Sequence, residues 1–299
     1  MLSPLRQTAL LTGALLAGQL CPDARAQLDA GLVVGATAYD GELTPADLAG
    51  RFEEARLALG AFGRYQFSPM AAARLGYTYL SIEGSDVTRP TSVGRNHRFV
   101  TDIHEVAASL EFYVLGTDRR LAPYLTAGVG AFYYNPTTDY NPAADPSPTF
   151  AGEGLRFDLR PLGTEGQGNP GFGDLYSEWA FAVPLGGGLR FRVTPAFMIG
   201  AEVVGRFTAV DHLDDISREF YVPLEELTLL NGPLSAELSY RPDEINAALR
   251  PDDMTRRANP ETNDYYLTAQ ITASFRFGQG DALRNGVRKS SKPLDCPKF

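Results

Sequence analysis

The most constraining feature of the sequence is a strict alternation of apolar and polar residues near its C-terminal end, over Tyr265–Phe277. One set of alternate positions reads Tyr265, Leu267, Ala269, Ile271, Ala273, Phe275 and Phe277. The other reads Tyr266, Thr268, Gln270, Thr272, Ser274 and Arg276. Because successive side chains of a β-strand point to opposite faces, the pattern predicts a strand with one apolar and one polar face. Its length, with aromatic residues near both ends, is typical of a tilted strand that crosses a membrane.

The same alternation recurs along the chain. It predicts seven further strands, at Leu28–Asp40, Leu57–Phe67, Ala73–Ser81, Asp102–Val114, Leu121–Tyr133, Trp179–Val193 and Phe197–Ala209. Short connections around Ser68-Pro69, Gly116–Arg120 and Thr194-Pro195 alternate with long ones at 41–56, 83–100, 135–177 and 211–263. Short helices are predicted inside the last long connection, at Pro223–Leu230 and Pro242–Leu249. The fold class is therefore predicted as all-β, an eight-stranded antiparallel transmembrane β-barrel in the outer membrane of a Gram-negative bacterium, with long extracellular loops and both termini in the periplasm.

The two ends of the chain lie outside the predicted barrel, which we place at residues 27–277. Residues 1–26 carry Arg6, an apolar run and the cleavage pattern Ala24-Arg25-Ala26, and are predicted to be a cleaved signal peptide. Lipidation at Cys21 is the alternative, although the bulky Leu20 precedes it. Residues 278–299 are predicted to form a short periplasmic tail. Its candidate partner-binding residues are Arg284, Arg288, Lys289, Lys292 and Cys296, and the alternative is a disordered terminus.

The inward faces of the predicted strands carry charges of both signs. The predicted lumen network comprises Arg64, Arg74, Glu105, Glu111, Glu178, Arg190, Arg192, Glu202, Arg206 and Arg276. The interior of an eight-stranded barrel is just wide enough to be filled by side chains. Since an unpaired buried charge is costly, we expect these groups to pair and to plug the lumen rather than to line a pore.

Composition and motifs give little support for chemistry. The chain has a formal net charge of −9, which is unfavourable for binding nucleic acid. Gly166-x-Gly168-x-x-Gly171 has dinucleotide-binding spacing but does not open a helix after a buried strand, so we interpret it as a loop with unusual backbone angles. A polar cluster follows the seventh predicted strand, at Asp211, His212, Asp214, Asp215 and Ser217. It is interpreted as a polar strand end with a turn, with a cation site or a His–Asp pair as alternatives. No cofactor, metal site or enzymatic activity is predicted.

Several patches spread along the chain carry a family resemblance. They are Tyr39–Leu43, Arg95-Asn96 with Phe99, Asp102 and Glu105, Pro123-Tyr124 through Gly128-x-Gly130 to Asn135-Pro136, Leu159–Gly168, Asp211–Ser217, Asn259-Pro260, Asn263–Tyr266, and Cys296 with Phe299. In these patches the chain resembles the PorG-type outer-membrane proteins of the type IX secretion system, a family also catalogued as a domain of unknown function. It departs from them at His212, where a Tyr is expected, and at Ala258, where a Gly is expected.

The resemblance implies association with periplasmic ring proteins of a secretion assembly and supplies no catalytic residues. We therefore expect an interaction protein whose partners are these ring proteins and outer-membrane lipid. The alternative is a surface or ligand-binding barrel of the OmpA or OmpW kind, without a secretion role. A third hypothesis, an outer-membrane enzyme using His212 with Asp211 or Asp214, has the least support.

Overall fold

Eight long strands close into an antiparallel barrel, as the alternation predicts. The computed structural model describes residues 27–41, 43–44, 53–86, 95–140, 155–244, 257–258 and 263–277. The strands are β1 (Gln27–Asp40), β2 (Arg56–Ser68), β3 (Ala71–Ser85), β4 (Arg98–Tyr113), β5 (Leu121–Tyr140), β6 (Leu155–Asp158), β7 (Trp179–Arg192), β8 (Phe197–Thr208) and β9 (Tyr265–Phe277). Neighbours in the sheet run β4-β3-β2-β1-β9-β8-β7-β5, and β5 pairs back with β4 to complete the closed barrel.

The barrel is apolar outside and polar inside. Along β9 every odd-numbered residue is exposed and every even-numbered residue is buried. Large apolar side chains cover the outer surface, among them Leu32, which is 68% exposed, and Phe181, which is 76% exposed. An apolar exterior around a hydrogen-bonded closed sheet is the arrangement that a bilayer favours, because no backbone group is left unpaired in hydrocarbon.

The two ends of the barrel differ. At one end, here called the turn end, short connections join β2 to β3, β4 to β5 and β7 to β8. The long connections all leave the opposite end, here called the cap end. The predicted sorting of short and long connections is therefore confirmed.

Three strands extend further at the cap end than predicted. β3 continues to Ser85, β4 starts at Arg98, and β5 continues to Tyr140. Ser85 pairs with Arg98, so the two strands stay in register to their tips. In these extensions inward positions carry apolar residues, such as Ile82 and Phe99, which are fully buried. An apolar-out, polar-in alternation therefore no longer marks the strands, and the predicted bounds were too short for that reason.

The 135–177 connection contains a ninth strand that the sequence analysis missed. β6 has only four residues and pairs antiparallel with the tip of β5, from Tyr140↔Leu155 to Thr137↔Asp158. A four-residue strand is too short to show a period, so no alternation indicates it.

Two short α-helices lie in the last long connection. Helix α1 (Leu224–Asn231) confirms the first predicted helix, while α2 (Pro233–Ser239) was not predicted. The second predicted helix is a 3-10 turn at Pro242–Glu244, and residues 245–249 lie outside the described residues. Within the described ranges, no helix is both long enough and apolar enough to cross a membrane.

Candidate functional site: the filled lumen and the cap over its mouth

Near the turn end, three arginines converge on two buried carboxylates. Arg64 donates from Nε and Nη2 to Glu111, at 2.7 and 3.0 Å. Arg276 Nε donates to Asp29 Oδ1 at 2.8 Å, and Arg190 Nη1 lies 3.6 Å from Asp29 Oδ2. Each positive charge therefore has a carboxylate within reach, as burial requires.

Asp29 is the acidic partner that the predicted lumen network omitted. It is fully buried, and it faces inward because it lies in register with Arg64 on β2 and Arg276 on β9. Its position, one residue after the outward-facing Leu28, is the signal that could have identified it from the sequence.

Two further ion pairs fill the middle of the lumen. Arg74 Nη1 contacts both carboxylate oxygens of Glu202, at 2.8 and 2.9 Å, and Tyr124 and Gln270 also donate to this carboxylate. Arg206 Nε contacts both oxygens of Glu105, at 3.1 and 3.0 Å. The Tyr266 hydroxyl donates to the same Glu105 carboxylate at 3.0 Å. Multiple donors to each carboxylate are what make a buried ion pair tolerable.

Aromatic rings occupy the space between the charged groups. The guanidinium carbons of Arg64 and Arg74 lie 4.8 and 4.1 Å from the centroid of the Phe62 ring, and that of Arg190 lies 4.4 Å from the Tyr113 ring. A cavity of about 40 Å³ remains between the two central ion pairs. That volume holds one or a few water molecules. The expected plugged lumen is what the structure has.

Two of the ten predicted lumen residues lie elsewhere. The Glu178 carboxylate accepts a hydrogen bond from Tyr133 at 3.3 Å, at the outer rim where the Tyr133 ring packs on the exposed Trp179. Arg192 donates to the backbone carbonyl of Thr117 in a turn-end connection. Both lie at the ends of the barrel, where a residue of inward register can bend toward a loop instead of entering the lumen. The other eight side chains lie inside the barrel.

The described parts of the long connections fold over the cap end of the barrel and cover its mouth. Strand ends and loops share one buried apolar cluster, in which the Tyr39 and Phe99 rings meet edge to face at 5.0 Å. Its loop members are Leu43, Leu159, Leu213, Ile216, Leu238 and Ala258. Because loop and strand residues are buried together, these connections, here called the cap, form part of the folded core.

Tyr39 ties the base of the cap to the barrel. Its hydroxyl lies 2.5 Å from Asp264 Oδ1 and 2.9 Å from Asp214 Oδ2. The remaining oxygens of the two carboxylates accept the backbone N–H groups of Leu213 and Ile216, each at 2.9 Å. The tip of β1 and the two ends of the last long connection are thereby held together.

Two arginines, the partly buried Arg95 and the buried Arg257, tie the cap connections to one another. Arg95 donates to both oxygens of Asp86, at 2.7 and 2.8 Å, and to the carbonyl of Arg257 at 2.7 Å. Arg257 Nε lies 3.1 Å from Glu165 Oε1, and its Nη1 donates to the carbonyl of Ser239 at 2.9 Å. These contacts join the connection after β3, the connection after β5 and the connection after β8.

Asp215 lies at the centre of the cap. Thr164 and Tyr176 donate to its two carboxylate oxygens, at 2.5 and 2.7 Å. Burial, together with the negative charge of the nearby Glu165, raises the pKa of Asp215 to about 6. At neutral pH the ionised carboxylate of Asp215 therefore lowers the stability of the folded cap, and protonation removes this cost.

The two cap histidines are held neutral. Burial lowers the pKa of His97 well below 6.5, and the positive charges of Arg257 and Arg95 lower it further. Burial also lowers the pKa of His212, whose ring stacks on Tyr176 with centroids 4.5 Å apart and planes 16° from parallel. The imidazole of His212 thus lies flat on an aromatic neighbour, and a tyrosine ring, which the resemblance led us to expect here, could stack in the same way.

The polar cluster at 211–217 is a structural element of the cap in this arrangement. The Asp214 and Asp215 carboxylates are occupied by hydroxyl and backbone donors. Among the described residues no group of three or more His, Cys, Asp or Glu side chains is placed to hold a metal ion. The geometry favours a polar strand end with a turn. It gives less support to the two alternatives, a cation site and a His–Asp pair.

The glycine-rich segment adopts the unusual backbone angles that we predicted. Gly166, Gly168 and Gly171 have φ values of +84°, +87° and +91°. The segment lies in the cap and follows a 3-10 turn at Arg160–Leu162. It is therefore a tight loop and not the start of a helix that could cradle a phosphate.

Most of the patches that carry the resemblance meet in the cap. The ones that converge there are Tyr39–Leu43, Arg95-Asn96, Leu159–Gly168, Asp211–Ser217 and the Asp264–Tyr266 end of the last patch. Asn96, for example, donates to the carbonyl of Arg241 at 3.1 Å and to Glu244 at 3.0 Å. The tail residues Arg284, Arg288, Lys289, Lys292 and Cys296, like the predicted signal peptide, lie outside the described residues.

Comparison with known proteins gives a family match over part of the chain and a set of similar folds. The family described as "Domain of unknown function (DUF6089)" matches residues 13–144. No curated protein matches the sequence. Neisserial surface protein A (NspA) is 9% identical, with 84% of this chain and 98% of that chain covered and a TM-score of 0.41. A major outer membrane protein from Thermus thermophilus is 10% identical, with 84% and 99% covered and a TM-score of 0.39. OprG from Pseudomonas aeruginosa is 9% identical, with 84% and 95% covered and a TM-score of 0.34. By its own strand pairing and surface, the chain is a closed eight-stranded β-barrel of the outer-membrane type, with a filled lumen and a capped mouth.

Proposed function

We propose that the chain is a non-enzymatic outer-membrane barrel that anchors or organises a protein secretion assembly of the type IX kind. In this proposal it binds periplasmic ring components through its C-terminal tail. The observation that carries the proposal is the double closure of the barrel, because the lumen is filled by ion pairs and its mouth is covered by the cap. A closed barrel offers no path for cargo or solutes, so its surfaces and its tail are what remain available for function.

The surface of the barrel supports the membrane part of the proposal. The outer positions of β9 and its neighbours carry leucine, isoleucine, valine and phenylalanine, with Phe275 and Phe277 in contact at the turn end. Single-chain barrels with such a surface belong to bacterial outer membranes, where short turns face the periplasm and long loops face outward. In this proposal the cap lies outside the cell.

The point at which the last strand ends supports the ring-binding part of the proposal. β9 ends at Phe277, whose register partner Leu28 lies at the start of β1, so the chain leaves the barrel at the turn end. The following 22 residues carry four of the basic candidates within nine positions, from Arg284 to Lys292, and then Cys296. A basic peptide tethered to a fixed barrel is suited to bind an acidic surface in the periplasm. The resemblance to PorG-type proteins points to ring components as that surface.

A pull-down from detergent-solubilised outer membranes tests the proposal. The full chain is compared with a chain truncated after Phe277, and co-purified proteins are identified by mass spectrometry. We expect periplasmic ring proteins with the full chain and none with the truncated one. If both chains purify alone, the secretion assignment is overturned.

Two tail variants separate charge from the thiol. One replaces Arg284, Arg288, Lys289 and Lys292 by Gln, and the other replaces Cys296 by Ser. We expect the first to lose the ring proteins as the truncation does. Retention of the Cys296→Ser complex would show that the interaction is electrostatic, whereas its loss would show that a thiol contact is needed.

A further inference from the structure

An apolar ridge stands on the outer surface of the cap. Leu229 of α1 is 88% exposed, the highest value among the large hydrophobic side chains that the structure describes, and Leu230 beside it is 37% exposed. Glu226, Leu229 and Leu230 follow at the spacing that places residues on one side of α1, and all three are exposed. The lipid-facing Phe181 reaches only 76% exposure on the membrane surface. Lipid favours an exposed phenylalanine on the membrane surface. The cap is exposed to water instead, where an exposed leucine is unfavourable.

The ridge is held rigidly from below. Leu227 of α1, Ala236 of α2 and Val222 form a buried apolar cluster beneath it. Asn231, at the end of α1, accepts from Asn169 Nδ2 at 2.6 Å and donates to the carbonyl of Gln167 at 3.3 Å. The exposed leucines are therefore presented on a fixed support, which lowers the entropy that a partner must overcome on binding.

The charge around the ridge indicates what can bind there. The exposed acidic side chains described between 211 and 244 are Glu219, Glu225, Glu226 and Glu237. Arg218 is the exposed basic side chain described in that stretch, and its guanidinium carbon lies 5.1 Å from the Phe172 ring centroid. The whole chain is acidic as well, at −9. A second copy of this chain and an anionic lipid surface would both be repelled by such a rim.

We infer that the ridge formed by Glu226, Leu229 and Leu230 is the docking surface for a protein partner that offers an apolar groove flanked by lysine or arginine. The ridge enters the groove as an amphipathic helix does, with Leu229 as the central apolar anchor. Glu225 and Glu226 pair with the basic rim and set the orientation. This surface lies at the opposite end of the barrel from Phe277, the last residue of β9, and the inference does not depend on the binding of ring proteins.

Site-specific photo-crosslinking in intact cells tests the inference. The probe is p-benzoylphenylalanine at position 229 of the full chain, and the matched control carries it at the exposed Asp174 on the glycine-rich loop. We expect a discrete heterologous protein adduct from position 229 and none from position 174. The cross-linked peptide of the partner should come from an apolar surface flanked by lysine or arginine.

Charge variants make the test specific. Replacing Glu225 and Glu226 by Lys in the position-229 chain should reduce the adduct at least fivefold, whereas Asp174→Lys should leave it unchanged. Heat-dependent gel migration of each variant reports that the barrel is folded. The inference is overturned by absence of an adduct over the control, by an adduct that is insensitive to the Glu→Lys changes, or by a cross-link to lipopolysaccharide. It is equally overturned by a cross-link to a second copy or to residues 141–154 or 245–256 of the same chain.

Discussion

Arg257 and Glu165 form an ion pair inside the cap, with 3.1 Å between Nε and Oε1 and with both side chains about 2% exposed. The two residues lie in different long connections, so the pair fastens one connection to the other. Removing one member of a buried pair leaves the other charge uncompensated, which typically costs about 3–5 kcal/mol.

Replacing Arg257 by Met is therefore expected to open the cap while the barrel stays closed. The measurement is proteinase K digestion of the chain in detergent micelles, with heat-dependent gel migration as the readout of the barrel. We expect rapid cleavage within the cap and a protected barrel core. Combining Arg257→Met with Glu165→Met should recover part of the protection, because neither charge is then buried alone.

The matched control for this variant is Arg156→Met. Arg156 pairs with Asp102 at 3.1 Å, but the two side chains are 47% and 33% exposed. Solvent screens such a pair, and its loss costs about 1 kcal/mol or less. Equal sensitivity of the two variants to protease would contradict the role assigned to Arg257.

In the lumen, Glu105→Ala should destabilise the barrel itself. Glu105 accepts from Arg206 and from Tyr266, and its removal strands a guanidinium that is about 5% exposed. We expect the free energy of unfolding in urea, followed by the fluorescence of Trp179, to fall by about 3–5 kcal/mol. Glu83→Gln is the control, since its partner Arg56 is 44% exposed, and there we expect about 1 kcal/mol or less.

The filled lumen also predicts that the intact chain does not conduct ions. The cavity left between the central ion pairs is about 40 Å³, and the buried residues of the cap lie above it. Planar-bilayer recordings of the purified barrel should show no stepwise conductance. Reproducible conductance steps from the unmodified chain would contradict both closures.

The strands that face lipid could be predicted from the sequence. The cap, which does not face lipid, could not. β9 alternates without exception because lipid contacts one face and the packed lumen the other, so its bounds match the prediction. The tip of β5 beyond Tyr133 shows no alternation of apolar and polar residues, so its last seven residues were missed. Asp29 could have been found because it follows the outward-facing Leu28 on β1 and must therefore face inward. Contacts such as Tyr39 with Asp264, 225 positions apart, follow from the packing of the cap and have no local signal.

The raised pKa of Asp215 gives the cap a pH dependence with a defined sign. Its folded pKa of about 6 lies above the ordinary value of 3.8. The stability that Asp215 contributes is therefore full below about pH 4 and is lost as the pH rises through 6, a difference of about 3 kcal/mol. Asp215→Asn, which is neutral at every pH, should protect the cap against protease at pH 7.5 relative to the unmodified chain. That advantage should fall to about half at pH 5 and disappear below about pH 4.

The two histidines change the stability of the cap with pH in the opposite direction to Asp215. The informative measurement is therefore the difference between Asp215→Asn and the unmodified chain. His97 and His212 have folded pKa values below 6.5 and favour the folded cap only while they are neutral. Their contribution is lost as the pH falls below 6.5. Both are present in the unmodified chain and in Asp215→Asn, so they cancel in the difference. A difference for Asp215→Asn that grows on acidification would contradict the assignment.

The glycine-rich loop allows backbone strain to be separated from steric conflict. Gly166 and Gly171 both have φ near +90°, so alanine is strained at either position. A Cβ on Gly166 would lie 2.5 Å from Cδ1 of Phe172, whereas a Cβ on Gly171 would meet nothing within 4 Å. We expect Gly171→Ala to cost about 1–2 kcal/mol of cap stability, which is the backbone term alone. Gly166→Ala should cost more, because Phe172 must also leave its place beside Leu227 and Val222.

Protease protection of the cap, compared between the two variants at equal barrel stability, measures the difference. Equal protection would mean that Phe172 can move without loss, and that the loop does not fix the support beneath Leu229.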